Sequence, residues 1–189
     1  MGSRALLVFC LLVGAWMLGG CGSATSTSSP SAGATVPVPA ACASTAPAWR
    51  SSPSVPAWPA ARTTLAPAGP GAIRLCQYSG LNAHPGLQLV ASRLLSAGRV
   101  SSQLVDELDR LPHMPAGPIN CPDDDGSEIV ALLTYPGGQR LTIRVDLTGC
   151  GTVTNGSVVR TTMGTGSPSP LIRTCEDALG WTTARRGPG

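Results

Sequence analysis

The sequence predicts an α+β domain: a small antiparallel sheet of about five strands with one or two helices packed on one face. A signal peptide and a disordered tether are expected to precede it. Three observations carry this. First, "EIVALLTYPGGQRLTIRVDL" holds two β-rich runs, Ile129 to Tyr135 and Leu141 to Leu147, joined through Pro136-Gly137-Gly138, the pattern of a hairpin. Second, Leu141, Ile143, Val145 and Leu147 alternate with Thr142, Arg144 and Asp146, so one face is expected to be buried and the other wet. Third, Val100, Leu104, Leu108 and Leu111 recur at helical spacing in "VSSQLVDELDRLP" and Pro112 ends the run, as a helix should end.

The remaining elements follow in chain order. "AIRLCQY" alternates Ile73, Leu75 and Gln77 with Arg74, Cys76 and Tyr78 and reads as a strand. "SGLNAHPG" is a turn-rich loop. "LQLVASRLL" fits either element by composition, and its alternation favours a strand. After the hairpin, "TVTNGSVV" places Asn155-Gly156 for a type I′ turn between Val153 and Val158-Val159. In "SPSPLIRTCEDALGW" Pro170 stands near a helix start and Gly180 at its end. The expected order is strand, strand, helix, three strands, helix, an α+β layer pair.

The first twenty residues read as an address. Arg4 precedes an apolar run from Ala5 to Leu18, which falls short of the roughly 20 residues that span a bilayer. A short basic end, a short apolar core and small residues describe a secretory signal. The stretch Leu18-Gly19-Gly20-Cys21 resembles the bacterial lipobox. That resemblance implies cleavage between Gly20 and Cys21, with diacylglycerol on the Cys21 thiol. Acyl chains such as palmitate would then anchor the protein, at about 0.8 kcal/mol per buried CH2. The expected location is the extracytoplasmic face of the cell membrane.

From Gly22 to about Pro70, Ser, Thr, Ala and Pro dominate, a composition too poor in apolar surface to offset its ordering entropy. The expected organisation is signal peptide 1–20, lipidated Cys and tether 21–70, one domain 71–181 and a tail 182–189. Within the tether, residues 22–41 read as flexible. Residues 42–59 are ambiguous, because Trp49, Val55 and Trp58 are costly to expose and suit an extended strap against the domain.

All 13 basic residues are Arg, and the formal net charge is +3. The Arg residues are scattered, so the chain lacks the electrostatic footprint of a nucleic-acid binder. Cys42, Cys76, Cys121, Cys150 and Cys175 remain after the signal and the lipid site are set aside. Cys121 precedes the hairpin and Cys150 follows it, which makes them the best pair. Cys42–Cys76 is preferred for a second bridge, with Cys76–Cys175 as its rival. One thiol is left over and suits a buried position.

From Val100 to Val159 a helix leads to "NCPDDDGSEIVALLTYPGG" and then to "GCGTVTNG". This resembles the subtilisin-inhibitor-like family of secreted bacterial protease inhibitors. The resemblance implies a disulfide from Cys121 to Cys150 and an exposed reactive loop opened by Pro122, with its reactive position near Asp123. The family's other disulfide has no counterpart here, and the run Asp123-Asp124-Asp125 suits few serine proteases. The chain also resembles lipoproteins of high-G+C Gram-positive bacteria.

Sharper chemistries fail on spacing. An EF-hand framed on Gly126 would place Cys121 and Leu132 where acids are needed, so Asp123 to Asp125 read as a solvated turn. His113-Met114 is at most a soft-metal pair. A G-x-S-x-G elbow is absent. Asn155-Gly156-Ser157 matches a glycosylation sequon but reads as a turn. The sequence therefore points to a monomeric, non-enzymatic binding module with no cofactor or metal, held to the membrane through Cys21 and meeting an unidentified envelope protein. A surface-tethered serine protease inhibitor using Cys121 to Asp125 is one alternative, and an accessory envelope enzyme is another.

Overall fold

The computed structural model describes residues 35–47, 52–121 and 123–180. Among them six strands form one antiparallel sheet: β1 (Ala72–Tyr78), β2 (Leu89–Ser96), β3 (Glu128–Thr134), β4 (Arg140–Asp146), β5 (Thr152–Thr154) and β6 (Val159–Thr161). Their spatial order is β2-β1-β3-β4-β5-β6. Helix α1 (Arg99–Asp109) follows β2, and α2 (Pro170–Leu179) follows β6. The α+β class and the order of elements are those the sequence predicts. The sheet has six strands because the chain on either side of Asn155-Gly156 forms two short ones.

One face of the sheet makes the main core. Register brings Ile73 against Leu133, Leu75 against Ala131, Ala131 against Ile143, and Val145 against Val153. Leu104, Val105 and Leu108 of α1 and Leu171 and Cys175 of α2 cover this layer. The helices begin and end where side chains can satisfy their open backbone groups. The Ser101 hydroxyl accepts the Gly98 N–H at 2.9 Å. At α2 the Ser169 hydroxyl accepts the Ile172 N–H at 3.2 Å, and Gly180 closes the helix in the left-handed region at φ 80°. Gln103 of α1 donates to Thr174 of α2 at 3.0 Å and locks the pair.

Three expectations are corrected. The boundary at residue 70 moves toward the N-terminus, because Ala61, Leu65 and Ala66 are core residues at 0–1% exposure. A short 3-10 helix, Pro59–Arg62, carries the first of them in. Asn155 explains why this segment stays. Its buried amide Nδ2 donates to the carbonyls of Ala61, Thr64 and Leu65 at 2.8, 2.9 and 3.0 Å. Proximity to the sheet, not apolar periodicity, orders residues 59–66.

The second correction concerns that same residue. A type I′ turn needs positive φ at both central residues, and Asn155 is not among the residues with positive φ. The connection is instead a four-residue loop from Asn155 to Val158, since Thr154 pairs with Val159. The Asn155 Oδ1 accepts the N–H groups of Ser157 and Val158. Gly156, at φ 89°, passes so close to Pro53 that a Cβ would strike the Pro53 carbonyl.

The third correction is the wet face. Cys76, Tyr78, Glu128, Val130 and Thr134 all point to the second face of the sheet and are all buried. The leftover thiol, Cys175, is free and buried as expected. Burial first, then Glu107 and Glu176, pushes it up to about 12.

Candidate functional site

The second face is covered by the N-terminal segment, residues 35–47 and 52–57, called the strap here. Val36 lies on Gly71, where a Cβ would collide with it. The Thr134 hydroxyl donates to Pro37 O at 2.6 Å. Cys42 is bridged to Cys76 of β1 with Cα atoms 5.7 Å apart. The Tyr78 hydroxyl donates to Ala43 O at 3.1 Å. Thr45 then forms an antiparallel bridge with Gln88, supported by Ala46 N–H to Leu87 O at 2.8 Å and Leu89 N–H to Ser44 O at 2.9 Å. Proline fixes φ and removes the donor, so a Pro-rich segment lies over a sheet in this way without adding a strand.

A cleft of about 470 Å³ lies between the described parts of the strap and β4. Among the described residues Pro47 and the run Ser52 to Pro56 line one side, and Val130 lines the cleft with them. The strand period of two places Arg140, Thr142 and Arg144 in a row along the cleft. At the ordinary strand rise the two Arg Cα atoms stand roughly 13 Å apart. Arg140 is exposed, and among the described residues no hydrogen bond or ion pair holds its guanidinium.

Arg144 is held differently. Its Nε lies 3.0 Å from Asp146 Oδ1 and 3.8 Å from Glu128 Oε2. Glu128 is only 1% exposed, and its Oε1 has no hydrogen-bond partner among the described residues. Burial pushes the Glu128 carboxyl up to about 7, against the pull of Arg144 and with a smaller push from Asp146. Burial likewise raises Asp146, opposed by Arg144 and reinforced by Asp124. Tyr78, opposite Glu128 on β1, is raised by burial and then by the Glu128 charge.

The acidic loop lies apart from the cleft, at the other end of β4. Cys121 and Cys150 are bridged, with Cα atoms 4.9 Å apart. Asp123 and Asp124 are exposed, while Asp125 is partly buried. Asp125 Oδ1 accepts the Ser127 N–H at 2.9 Å and the Thr148 hydroxyl at 2.8 Å. Burial would raise the Asp125 carboxyl, but these hydrogen bonds outweigh it and hold it below its ordinary value. Asp124 Oδ1 accepts the Gly126 N–H at 3.0 Å, and Gly149 N–H donates to Asp123 O at 3.2 Å. Two of the three carboxylates are thus committed to the loop's own shape. Among the described residues no group of three or more His, Cys, Asp and Glu side chains is placed to hold a metal ion.

Gly20, Cys21 and Pro122 lie outside the described residues. The two disulfides join the pairs preferred from the sequence, Cys121–Cys150 and Cys42–Cys76. No sequence pattern singles out Arg140, and strand alternation predicts Thr142, Arg144 and Asp146 on a wet face. A signal for the covered face was present: "EIVALLT" is nearly continuous in apolar residues, as strands buried on both faces are. Neither a protein-family model, nor a curated protein, nor a solved structure matches this chain, so the chemistry of the cleft must speak for itself.

Proposed function

We propose that the protein is a membrane-anchored lipoprotein of the extracytoplasmic face, whose small domain is a non-enzymatic binding module. The cleft between strap and β4 carries the reading. Its volume of about 470 Å³ lies in the range of small-molecule sites, and it mixes apolar walls with a few placed polar groups. The described residues lining it include no His, Cys, Asp or Glu, the usual sources of a general base. The anchor rests on Leu18-Gly19-Gly20-Cys21, and the two disulfides support an oxidising compartment. Mass spectrometry of the mature N-terminus tests the anchor. A diacylated Cys21 is expected, and Cys21→Ala should leave the membrane fraction or stay unprocessed. An unmodified N-terminus at another residue overturns it.

A second reading, a surface-tethered serine protease inhibitor, is favoured by exposed Asp123 and Asp124 beside the Cys121–Cys150 bridge. It predicts a stable complex when the protein is titrated into subtilisin. Slow cleavage of the loop without inhibition removes this reading and leaves the binding module.

A further inference from the structure

We infer that the cleft takes a small amphipathic oxyanion, a carboxylate or phosphate on an apolar body, with Arg140 holding the charge. This inference rests on the cleft being a binding site. Among the described residues the only charged side chains lining the cleft are Arg140 and Arg144. The two are not equivalent. Arg144 faces Asp146 and Glu128, so its charge is already answered inside the protein. Arg140 stands exposed at the first position of β4, with no acid paired to it among the described residues. A planar guanidinium fork matches the two oxygens of a carboxylate or phosphate.

The rest of the lining supplies the complement to an apolar body. Val130, Val55 and the three prolines line the space beside the Arg140–Thr142–Arg144 row, in which Thr142 occupies the strand position between the two arginines. The walls are set before any ligand arrives. Next to Pro47 the Ala46 N–H donates to Leu87 O at 2.8 Å, the Pro56 carbonyl accepts Arg62 Nε–H at 3.0 Å, the Pro53 carbonyl packs on Gly156, and the prolines limit backbone freedom. A site that needs little ordering loses less affinity on binding. Among the described residues one unanswered cation lines the cleft, which suits a single anionic end group better than a polyanion, which would need several cations along its length.

The test is calorimetric titration of the full chain in zwitterionic phosphatidylcholine nanodiscs, with empty nanodiscs as the blank. Three soluble probes share a phenyl body: 4-phenylbutyrate, 2-phenylethyl phosphate and the neutral 4-phenylbutan-1-ol. At least one anion should bind, and the alcohol should bind about tenfold more weakly or worse. Arg140→Gln should weaken the anion about tenfold, as expected for losing one charge-assisted pair. Arg93→Gln, on exposed β2 outside the cleft, should leave it unchanged. Binding of one anion alone assigns the end group as carboxylate or phosphate. If the alcohol binds as well as the anions, or Arg140→Gln has no effect, or Arg93→Gln weakens binding equally, the oxyanion inference is overturned while the binding cleft stands. If none of the three probes binds, the reading of the cleft as a binding site falls as well.

Discussion

Glu128 and Asp146 stand directly opposite each other in the β3–β4 ladder, and Arg144 lies within 4 Å of both, 3.8 Å from Glu128 and 3.0 Å from Asp146. Like charges placed opposite on a sheet are unfavourable, and here Glu128 is buried and Asp146 only partly exposed. One guanidinium cannot fully compensate two buried carboxylates. The result is a carboxyl on Glu128 raised to about 7 by burial, reinforced by Asp146.

That elevation sets a pH dependence. A carboxyl whose folded value lies above its unfolded value contributes stability that is fully present below the unfolded value and lost as pH rises through the folded one. For Glu128 the window runs from about 4.5 to about 7, and raised Asp146 acts in the same sense. Asp125 is held low, so its opposite effect falls at more acidic pH. Urea unfolding should therefore give greater stability at pH 5 than at pH 8. Glu128→Gln should flatten this slope. A wild-type protein that gains stability from pH 5 to pH 8 would contradict the account.

The strap bridge closes a loop with a sequence separation of 34. Chain entropy assigns about 3–4 kcal/mol to a loop of that length. Replacing Cys42 and Cys76 together by Ala should lower the thermal midpoint by many degrees. It should also open residues 35–47 to added protease before the sheet unfolds. An unchanged midpoint with an uncut strap would show that the hydrogen bonds from Tyr78 and Thr134 suffice.

Asn155 joins the segment 61–65 to the β5–β6 loop through three carbonyls. Asn155→Ala leaves buried acceptors without a donor, at about 1–3 kcal/mol for each group left unsatisfied. A net loss of about 2–3 kcal/mol in urea unfolding is expected. Asn155→Asp should cost at least as much, since a carboxylate would face the same carbonyl oxygens. A loss below half a kcal/mol for Asn155→Ala, read against the ordinary scatter of surface substitutions, would mean that water takes the amide's place.

The Cys121–Cys150 bridge closes a loop with a sequence separation of 29, also worth about 3–4 kcal/mol in the entropic account. The acidic loop has further ties, through Thr148 to Asp125 and Gly149 to Asp123. Replacing both cysteines by Ala should lower the unfolding midpoint and speed proteolysis between residues 118 and 126. If only the midpoint moves, the hydrogen bonds alone keep the loop in shape.

The sequence by itself determined the elements and their order. Alternation in "AIRLCQY" and "RLTIRVD", the helical spacing from Leu104 to Leu108, and the Pro170 and Gly180 boundaries of α2 are local signals. Each is legible because the period of a strand or helix is written in neighbouring residues. The Cys121–Cys150 bridge was legible too, since a hairpin brings its ends together whatever surrounds it, whereas for Cys76 the sequence offered both Cys42 and Cys175 as partners. The tertiary structure decided the fate of residues 35–47 and 52–70, of which the sequence offered only an ambiguous strap over 42–59, and of the sheet's second face. Nothing periodic in "TVPVPAACASTAP" or "PAARTTLAPAGP" predicts packing, because their order comes from partners far along the chain: Cys76, Tyr78, Thr134 and Asn155. The cleft lies between β4 and the segments that this borrowed order holds in place, so Arg140 acquires its setting from contacts that no local pattern records.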